Sequence, residues 1–109
     1  MTNFLPVCPI AELPAGERAL VEIDGRYVVI FNVAGRYYAI EDRCTHDDGP
    51  LADGVLLGTQ IECPRHGAHF DITNGAVMSF PAVEPVGWYE TRVVDDQLEI
   101  ASERRIRAR

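Results

Sequence analysis

Hydrophobic and polar residues alternate along the first part of the chain with a period of two, which is typical of β-strands. Ala19, Val21 and Ile23 fall on one face of the first such segment. The dipeptide Asp24-Gly25 follows it directly and is a strong hairpin signal, because both residues tolerate a positive φ. The pattern therefore predicts a strand, a tight turn and a second strand.

The other segments with strand character are short and are separated by turn residues. The segment 27–33 consists mainly of β-branched and aromatic residues and is predicted to be a strand that is buried on both faces. Further strands are predicted at 18–23, 37–41, 55–57, 60–63, 70–72, 76–80, 88–94 and 97–100. We therefore expect one all-β domain of about nine or ten short strands.

Length and charge limit what this domain can do. The chain has 109 residues, with 17 acidic and 10 basic side chains and a formal net charge of −7. A chain of this size buries about two-thirds of its surface on folding, which allows one modest core but no second catalytic domain. The negative charge argues against nucleic acids and anionic membranes as partners.

The two ends of the chain carry the remaining organisational signals. The segment 1–6 lacks the basic start and the long apolar stretch of a secretion signal, and no apolar run approaches the ~18 residues of a membrane span. We therefore expect a cytoplasmic location. The domain is predicted to cover 1–102, whereas 103–109 is Arg-rich and is predicted to be a flexible tail. The alternative for this tail is a docking arm for an acidic partner.

Two irregular loops carry the candidate chemistry, and each contains one thiol and one imidazole. Cys44 and His46 lie in the first loop, and Cys63 and His66 lie in the second. Thiolate is the soft, anionic donor that iron–sulfur clusters require, whereas imidazole is neutral and harder. Two such loops can bind a two-iron cluster from opposite sides. If both cysteines bind one iron and both histidines bind the other, the reduction potential rises above that of an all-cysteine cluster.

A structural zinc site of the Cys2His2 type would use the same four residues. The single residue between Cys44 and His46 is a shorter spacing than the two to four residues common in zinc fingers. The spacing favours the iron–sulfur cluster, but composition alone does not separate the two metals.

Other titratable residues near or outside these loops are expected to have structural roles or to lie at the surface. Cys8 is expected to be a buried, inert thiol, because free cysteines are among the most buried residues. His69 is expected to be a surface imidazole at the exit of the second loop. Arg65 could neutralise Asp47 or Asp48, or meet an acidic rim on a partner, and the sequence does not decide among these.

The order Cys-x-His and then Cys-x-x-His, followed by the segment GAHFDITNG at 67–75, closely resembles a Rieske [2Fe–2S] domain. The resemblance covers nearly the whole chain. It implies a Rieske-type fold of stacked antiparallel sheets with a two-loop subdomain that binds one [2Fe–2S] cluster. By the same resemblance, Cys44 and Cys63 bind the inner iron, His46 and His66 bind the outer iron, and the loop with Pro81 covers the cluster.

Within this family, the chain is most similar to the free-standing ferredoxins of aromatic-ring-hydroxylating dioxygenase systems. That similarity implies a one-electron carrier that is not itself an enzyme. It would pass electrons from a flavin or iron–sulfur reductase to a terminal oxygenase through transient contacts. Two alternatives are a Rieske subunit of a multisubunit reductase such as nitrite reductase, and an auxiliary ferredoxin of iron–sulfur assembly.

The resemblance also has a consequence for the reduction potential. Respiratory-chain Rieske proteins carry a Ser and a Tyr hydroxyl near the cluster where this chain has Ala68 and Phe70, and an additional disulfide at positions that match Gly49 and Arg65. Each hydroxyl donor stabilises the reduced cluster. Without them, we expect a potential near the low end of the Rieske range, about −150 mV.

Overall fold

A computed structural model describes residues 3–107, whose regular secondary structure is almost entirely β-strand. The ten strands of this part are Phe4–Pro9 (β1), Arg18–Ile23 (β2), Arg26–Val33 (β3), Arg36–Glu41 (β4), Val55–Leu57 (β5), Gln60–Glu62 (β6), His69–Asp71 (β7), Trp88–Tyr89 (β8), Thr91–Val94 (β9) and Gln97–Ala101 (β10). One short 3-10 helix, Ile10–Glu12, follows β1. Across residues 3–107, no helix has the length and apolarity needed to cross a bilayer.

The strands form three antiparallel sheets, which confirms the predicted fold class. Their strand orders are β1-β10-β9, β2-β3-β4-β8 and β5-β6-β7. The two candidate loops both lead into the third and smallest sheet. The first loop joins β4 to β5 and so connects two different sheets, whereas the second loop joins the neighbouring strands β6 and β7.

Strand β3 lies at the centre of the molecule, because both of its faces are buried, as its sequence predicts. Successive side chains of a strand point to opposite faces. Val29 and Phe31 accordingly belong to one hydrophobic cluster, and Val28 and Ile30 belong to another. The first of these clusters also contains both loop cysteines, so the central strand connects the main core with the candidate site.

The turns between the long strands follow the predicted local chemistry. Asp24 and Gly25 have φ values of 51° and 80°, as the predicted hairpin requires. The hairpin between β9 and β10 uses Asp95 and Asp96 at φ 51° and 63°, because short Asp side chains tolerate the left-handed region better than most residues. Two strand pairs are thus joined where the sequence places turn residues.

The structure corrects three details of the predicted strands. The segment 76–80 is not a strand and makes only an isolated bridge between Val77 and Phe70. The predicted strand 88–94 is divided at Glu90 into β8, which pairs with β4, and β9, which pairs with β10. Strand β1 was not predicted, because its residues do not alternate clearly and it contains two prolines. Its pairing with β10 is a long-range contact that local pattern does not reveal.

The described part of the segment 103–109 makes specific contacts with the body of the protein. Arg104 forms an ion pair with the buried carboxylate of Glu41. Trp88 and Arg105 exchange two backbone hydrogen bonds, both of 2.9 Å. The last two residues, 108–109, lie outside the described part of the chain. The domain boundary at residue 102 and the flexibility of the tail stay predictions.

Candidate metal centre

The first candidate loop is closed by backbone hydrogen bonds around its cysteine. The N–H of Cys44 donates to the carbonyl of Gly49, and the N–H of Asp48 donates to the carbonyl of Cys44, both at 2.7 Å. Asp48 has a φ of 63°, so the loop reverses direction through a left-handed residue. The cysteine is therefore held at the base of a tight turn.

The second loop repeats the same turn. The N–H of Cys63 donates to the carbonyl of Ala68 at 2.7 Å, and the N–H of Gly67 donates to the carbonyl of Cys63 at 3.0 Å. Gly67, with a φ of 78°, occupies the position of the left-handed Asp48. Two loops of different sequence thus present their cysteines in the same local geometry.

The structure brings the four predicted ligands together as two pairs at different depths. The sulfurs of Cys44 and Cys63 lie within 4.8 Å of each other, and these residues are 0% and 1% exposed. The rings of His46 and His66 are exposed, with their centroids 5.3 Å apart and their planes nearly perpendicular. The thiols therefore face the core and the imidazoles face solvent.

The thiol side disfavours negative charge unless a cation compensates it. Burial raises the pKa of Cys44 above its ordinary value, and the neighbouring Cys63 raises it further. Hydrogen bonds from the backbone N–H groups of His46 and Asp47 oppose this rise without cancelling it. A thiolate at this position is stabilised most simply by a bound metal.

The carboxylate of Asp47 has surroundings that the sequence did not indicate. One of its oxygens, Oδ1, accepts a 2.9 Å hydrogen bond from the N–H of Gly49, which is the main reason that the pKa of Asp47 is lowered. The other oxygen, Oδ2, is buried and has no aligned hydrogen-bond donor, although Nε of Arg65 is 2.9 Å away. Arg65 therefore faces Asp47, while Arg43 pairs with Asp48 at 2.7 Å.

These residues fit a [2Fe–2S] cluster of the Rieske type. Two thiol sulfurs and a carboxylate oxygen lie within 4.8 Å of one another, so three potential donor atoms meet at one place in the core-facing part of the site. The soft donors are buried and the neutral nitrogen donors are exposed, as two irons with different ligands would require. The donor set is thus suited to a two-metal group that is buried at one end and reaches solvent at the other.

The loop that contains Pro81 packs against the same site. Ala82 is buried in the hydrophobic cluster that holds both loop cysteines. The hydroxyl of Thr45 donates a 2.7 Å hydrogen bond to the carbonyl of Glu84, which ties this loop to the first candidate loop. Phe80, in contrast, is 81% exposed. The covering role of Pro81 stays a prediction.

Cys8 and His69 lie outside the group of predicted ligands. Cys8 is half-buried and packs against the second hydrophobic cluster, and burial is the main reason that its pKa is raised. His69 lies on β7, where its Nε2 is 3.1 Å from Glu62 Oε2 and its Nδ1 is 3.3 Å from Gln60 Oε1. Instead of being a free surface imidazole, it connects the side chains of the small sheet.

Comparisons with known proteins agree with this geometry. The profile of the Rieske [2Fe-2S] domain family matches residues 3–95. The 3-phenylpropionate/cinnamic acid dioxygenase ferredoxin subunits of Escherichia coli (strain K12) and of Shigella flexneri are each 35% identical to this chain over 92 residues, covering 84% of this chain and 86% of theirs. The matched segment of the family profile contains both candidate loops and every strand from β1 to β9.

Solved structures extend the similarity to three dimensions. The ferredoxin of carbazole 1,9a-dioxygenase from Nocardioides aromaticivorans IC177 is 30% identical, with a TM-score of 0.84 over 90% of this chain and 96% of that chain. The Sphingomonas yanoikuyae B1 ferredoxin is 35% identical, with a TM-score of 0.81 over 91% of this chain and 98% of that chain. One chain of the complex of reduced oxygenase and oxidized ferredoxin in carbazole 1,9a-dioxygenase is 32% identical, with a TM-score of 0.87 over 95% and 97% of the two chains.

Proposed function

The chain belongs to the Rieske [2Fe–2S] domain family, and we propose that it is the ferredoxin that carries single electrons from a reductase to the terminal oxygenase of a dioxygenase system. Its cofactor is one Rieske cluster, and the chain is an electron carrier rather than a catalytic subunit. The observation that carries this function is the depth difference at the site, where the thiols are buried and the imidazoles reach the surface.

In this proposal, Cys44 and Cys63 bind the inner iron, and His46 and His66 bind the outer iron. The bound cluster supplies a one-electron redox couple. The chain contributes the surroundings of that couple: the core excludes water from the two thiolates, and the backbone N–H groups of His46 and Asp47 stabilise charge on the sulfur of Cys44. This set of ligands is supported by the pairing and the burial of the four residues.

The exposed pair of imidazoles makes this end of the molecule the place where electrons enter and leave. An electron crosses a short gap most readily, and His46 and His66 are exposed whereas the thiols are not. Because the reductase and the oxygenase need the same exposed end, they bind in turn rather than together. We therefore expect short-lived complexes whose lifetime permits exchange of one partner for the other.

The charge of the chain indicates what its partners look like. With a net charge of −7, it is attracted to basic surfaces, and this attraction weakens as salt screens it. We expect electron transfer to the oxygenase to slow as ionic strength rises, mainly through slower association. The cytoplasmic location is part of this proposal and stays a prediction from the sequence.

One spectroscopic experiment tests the cofactor and the ligands together. The purified chain is reduced anaerobically and examined by ultraviolet–visible and EPR spectroscopy. We expect a coloured protein and, on reduction, a rhombic EPR signal with a mean g value below 2, which the variants Cys63→Ala and His66→Ala lack. A colourless protein that contains equimolar zinc would instead support the structural zinc module.

A further inference from the structure

The turn at residues 51–54, which ends the first candidate loop, is held by two charged side chains from outside it. Oδ1 of Asp42 accepts hydrogen bonds from the N–H groups of Leu51 and Ala52, both at 2.7 Å. Nη1 of Arg18 donates to the carbonyls of Ala52 and Gly54, at 2.7 and 2.8 Å. A carboxylate thus binds the N–H end of the turn and a guanidinium binds its carbonyl end. We call Arg18 and Asp42 the turn clamp.

The clamp is anchored on the central sheet and not on the loops. Arg18 begins β2, and its guanidinium carbon lies 4.9 Å from the centroid of the Phe31 ring on β3. Asp42 directly follows β4, and its N–H donates to the carbonyl of Tyr27 on β3. Hydrogen bonds with one charged partner are stronger than neutral ones. The position of the turn is therefore set by the part of the fold with the longest strands.

The clamped turn contributes to the same hydrophobic cluster as both thiols. Leu51 is fully buried in the hydrophobic cluster that contains Cys44 and Cys63. A Cβ atom on Gly54 would lie only 2.1 Å from the backbone oxygen of Glu62, so the turn lies directly on the residue before Cys63. If the turn moved, Leu51 would leave the sulfur side of the site, and water would reach it.

We propose that Arg18 and Asp42 are positioning residues for the cluster: by clamping the turn at 51–54, they hold Leu51 over the thiol side and slow the loss of the metal. This inference rests on the proposed function for its metal, but the clamp itself depends only on hydrogen bonds of the chain. It assigns a role in cofactor retention to Arg18, which lies far from both loops in the sequence.

The test uses the cluster-loaded protein and the variant Arg18→Gln. Two quantities are measured: the rate at which the visible absorbance of the cluster is lost in excess iron chelator, and amide hydrogen exchange at Leu51 and Ala52. We expect both rates to rise about tenfold, since charged hydrogen bonds to two carbonyls are lost. Amides of β3 and β4 should keep their wild-type protection. Arg18→Lys, which retains the charge and part of the donor set, should show a smaller rise.

Arg92→Gln is the matched control. Arg92 also lies over an aromatic ring, that of Phe4 at 4.0 Å, and also bonds an oxygen, that of Glu99 at 2.6 Å, but it does so on the sheet that carries no candidate loop. We expect its rate of cluster loss to equal that of the wild type. Equal acceleration in both variants would overturn the proposal, because it would indicate general destabilisation.

The remaining outcomes distinguish a failure of the clamp from a failure of the proposed function. Wild-type rates of cluster loss and of amide exchange in Arg18→Gln would overturn the clamp and leave the proposed function intact. A wild-type protein without a [2Fe–2S] chromophore would overturn the proposed function, and exchange at Leu51 and Ala52 would then still test the clamp. Should Arg18→Gln not fold, Asp42→Asn, which keeps the acceptor oxygen but removes its charge, is expected to give a smaller acceleration of the same kind.

Discussion

The two candidate loops contain the same turn but are anchored in different ways. The second loop lies between paired strands, so the ladder pair of Glu62 and His69 closes it directly. The first loop connects two sheets and has no such pair at its ends. Side chains replace the ladder there: Asp42 and Arg18 hold its end, and Thr45 ties it to the carbonyl of Glu84. A repeated local geometry can thus depend on entirely different long-range support.

The largest effect is expected when a thiol ligand is removed. In Cys63→Ala the visible absorption and the reduced-state EPR signal should disappear, because only one buried soft donor remains. Amide exchange should then rise most at 44–50, where the metal is the missing link, and least at Glu62 and His69, which the ladder holds. Equal loss of protection in the two loops would contradict the difference in anchoring.

The contact between the loops is tested by a pair of glycine variants in the first loop. In Gly54→Ala, the new Cβ would meet the backbone oxygen of Glu62 at 2.1 Å, and backbone yields little. In Gly49→Ala, it would meet Cδ of Arg65 at 2.7 Å, the middle of a flexible side chain that is able to move aside. We expect Gly54→Ala to lose about 2–3 kcal/mol of unfolding free energy and Gly49→Ala less than about 1 kcal/mol, by chemical denaturation. Similar losses would mean that β6 adjusts to a Cβ atom on the turn more easily than the structure indicates.

The reduction potential of the cluster is expected to rise when a hydroxyl donor is introduced in the second loop. Ala68 is fully buried beside Cys63, to whose N–H its carbonyl is bonded. In Ala68→Ser, a hydroxyl donor near the cluster would stabilise the reduced state by about 1–2 kcal/mol, which corresponds to a rise of about 40–90 mV for a one-electron couple. Direct voltammetry measures this difference from the wild type, whose potential we expect at about −150 mV. An unchanged or lowered potential in this variant would exclude the second loop as the source of the low potential.

The smallest effect is expected for the ion pair that connects the two loops. Arg65 pairs with Asp47 across the loops, but its side chain is 61% exposed, so solvent and salt screen the attraction. Arg65→Gln should therefore leave the midpoint of thermal unfolding unchanged within error at moderate salt. A clear drop in the midpoint would show that the loops depend on each other and not on their separate anchors.

The parts of the site that depend on local sequence could be predicted, whereas the parts that depend on long-range contacts could not. The four predicted ligands are recognisable because chemistry requires Cys and His at short spacing within one loop, and the turn that presents each Cys is local. The sequence offered Asp47 and Asp48 equally as partners of Arg65, and nothing near them in the sequence indicates that Oδ2 of Asp47 is buried beside the second loop. Arg18 carried no signal at all, because the carbonyls that it binds are 34 and 36 positions away.

The fold shows the same limit. The alternating residues of β2 and the Asp24-Gly25 turn were sufficient to predict the first hairpin, because φ preferences and side-chain period depend on neighbouring residues. The division of 88–94 at Glu90 was not predictable, because it depends on β4 and β10, which compete for adjacent stretches of that segment.

By itself, the sequence determined the all-β character, the main turns, the acidic charge and the set of candidate donors. Only the tertiary structure decided which sheet β8 and β9 each join and that β1 pairs with β10. It also decided the partner of Arg65 and the hydrogen bonds of Arg18 to the turn at 51–54. The physical reason is distance along the chain. Backbone preferences act between adjacent residues, whereas packing and charged hydrogen bonds select partners that only the complete fold brings together.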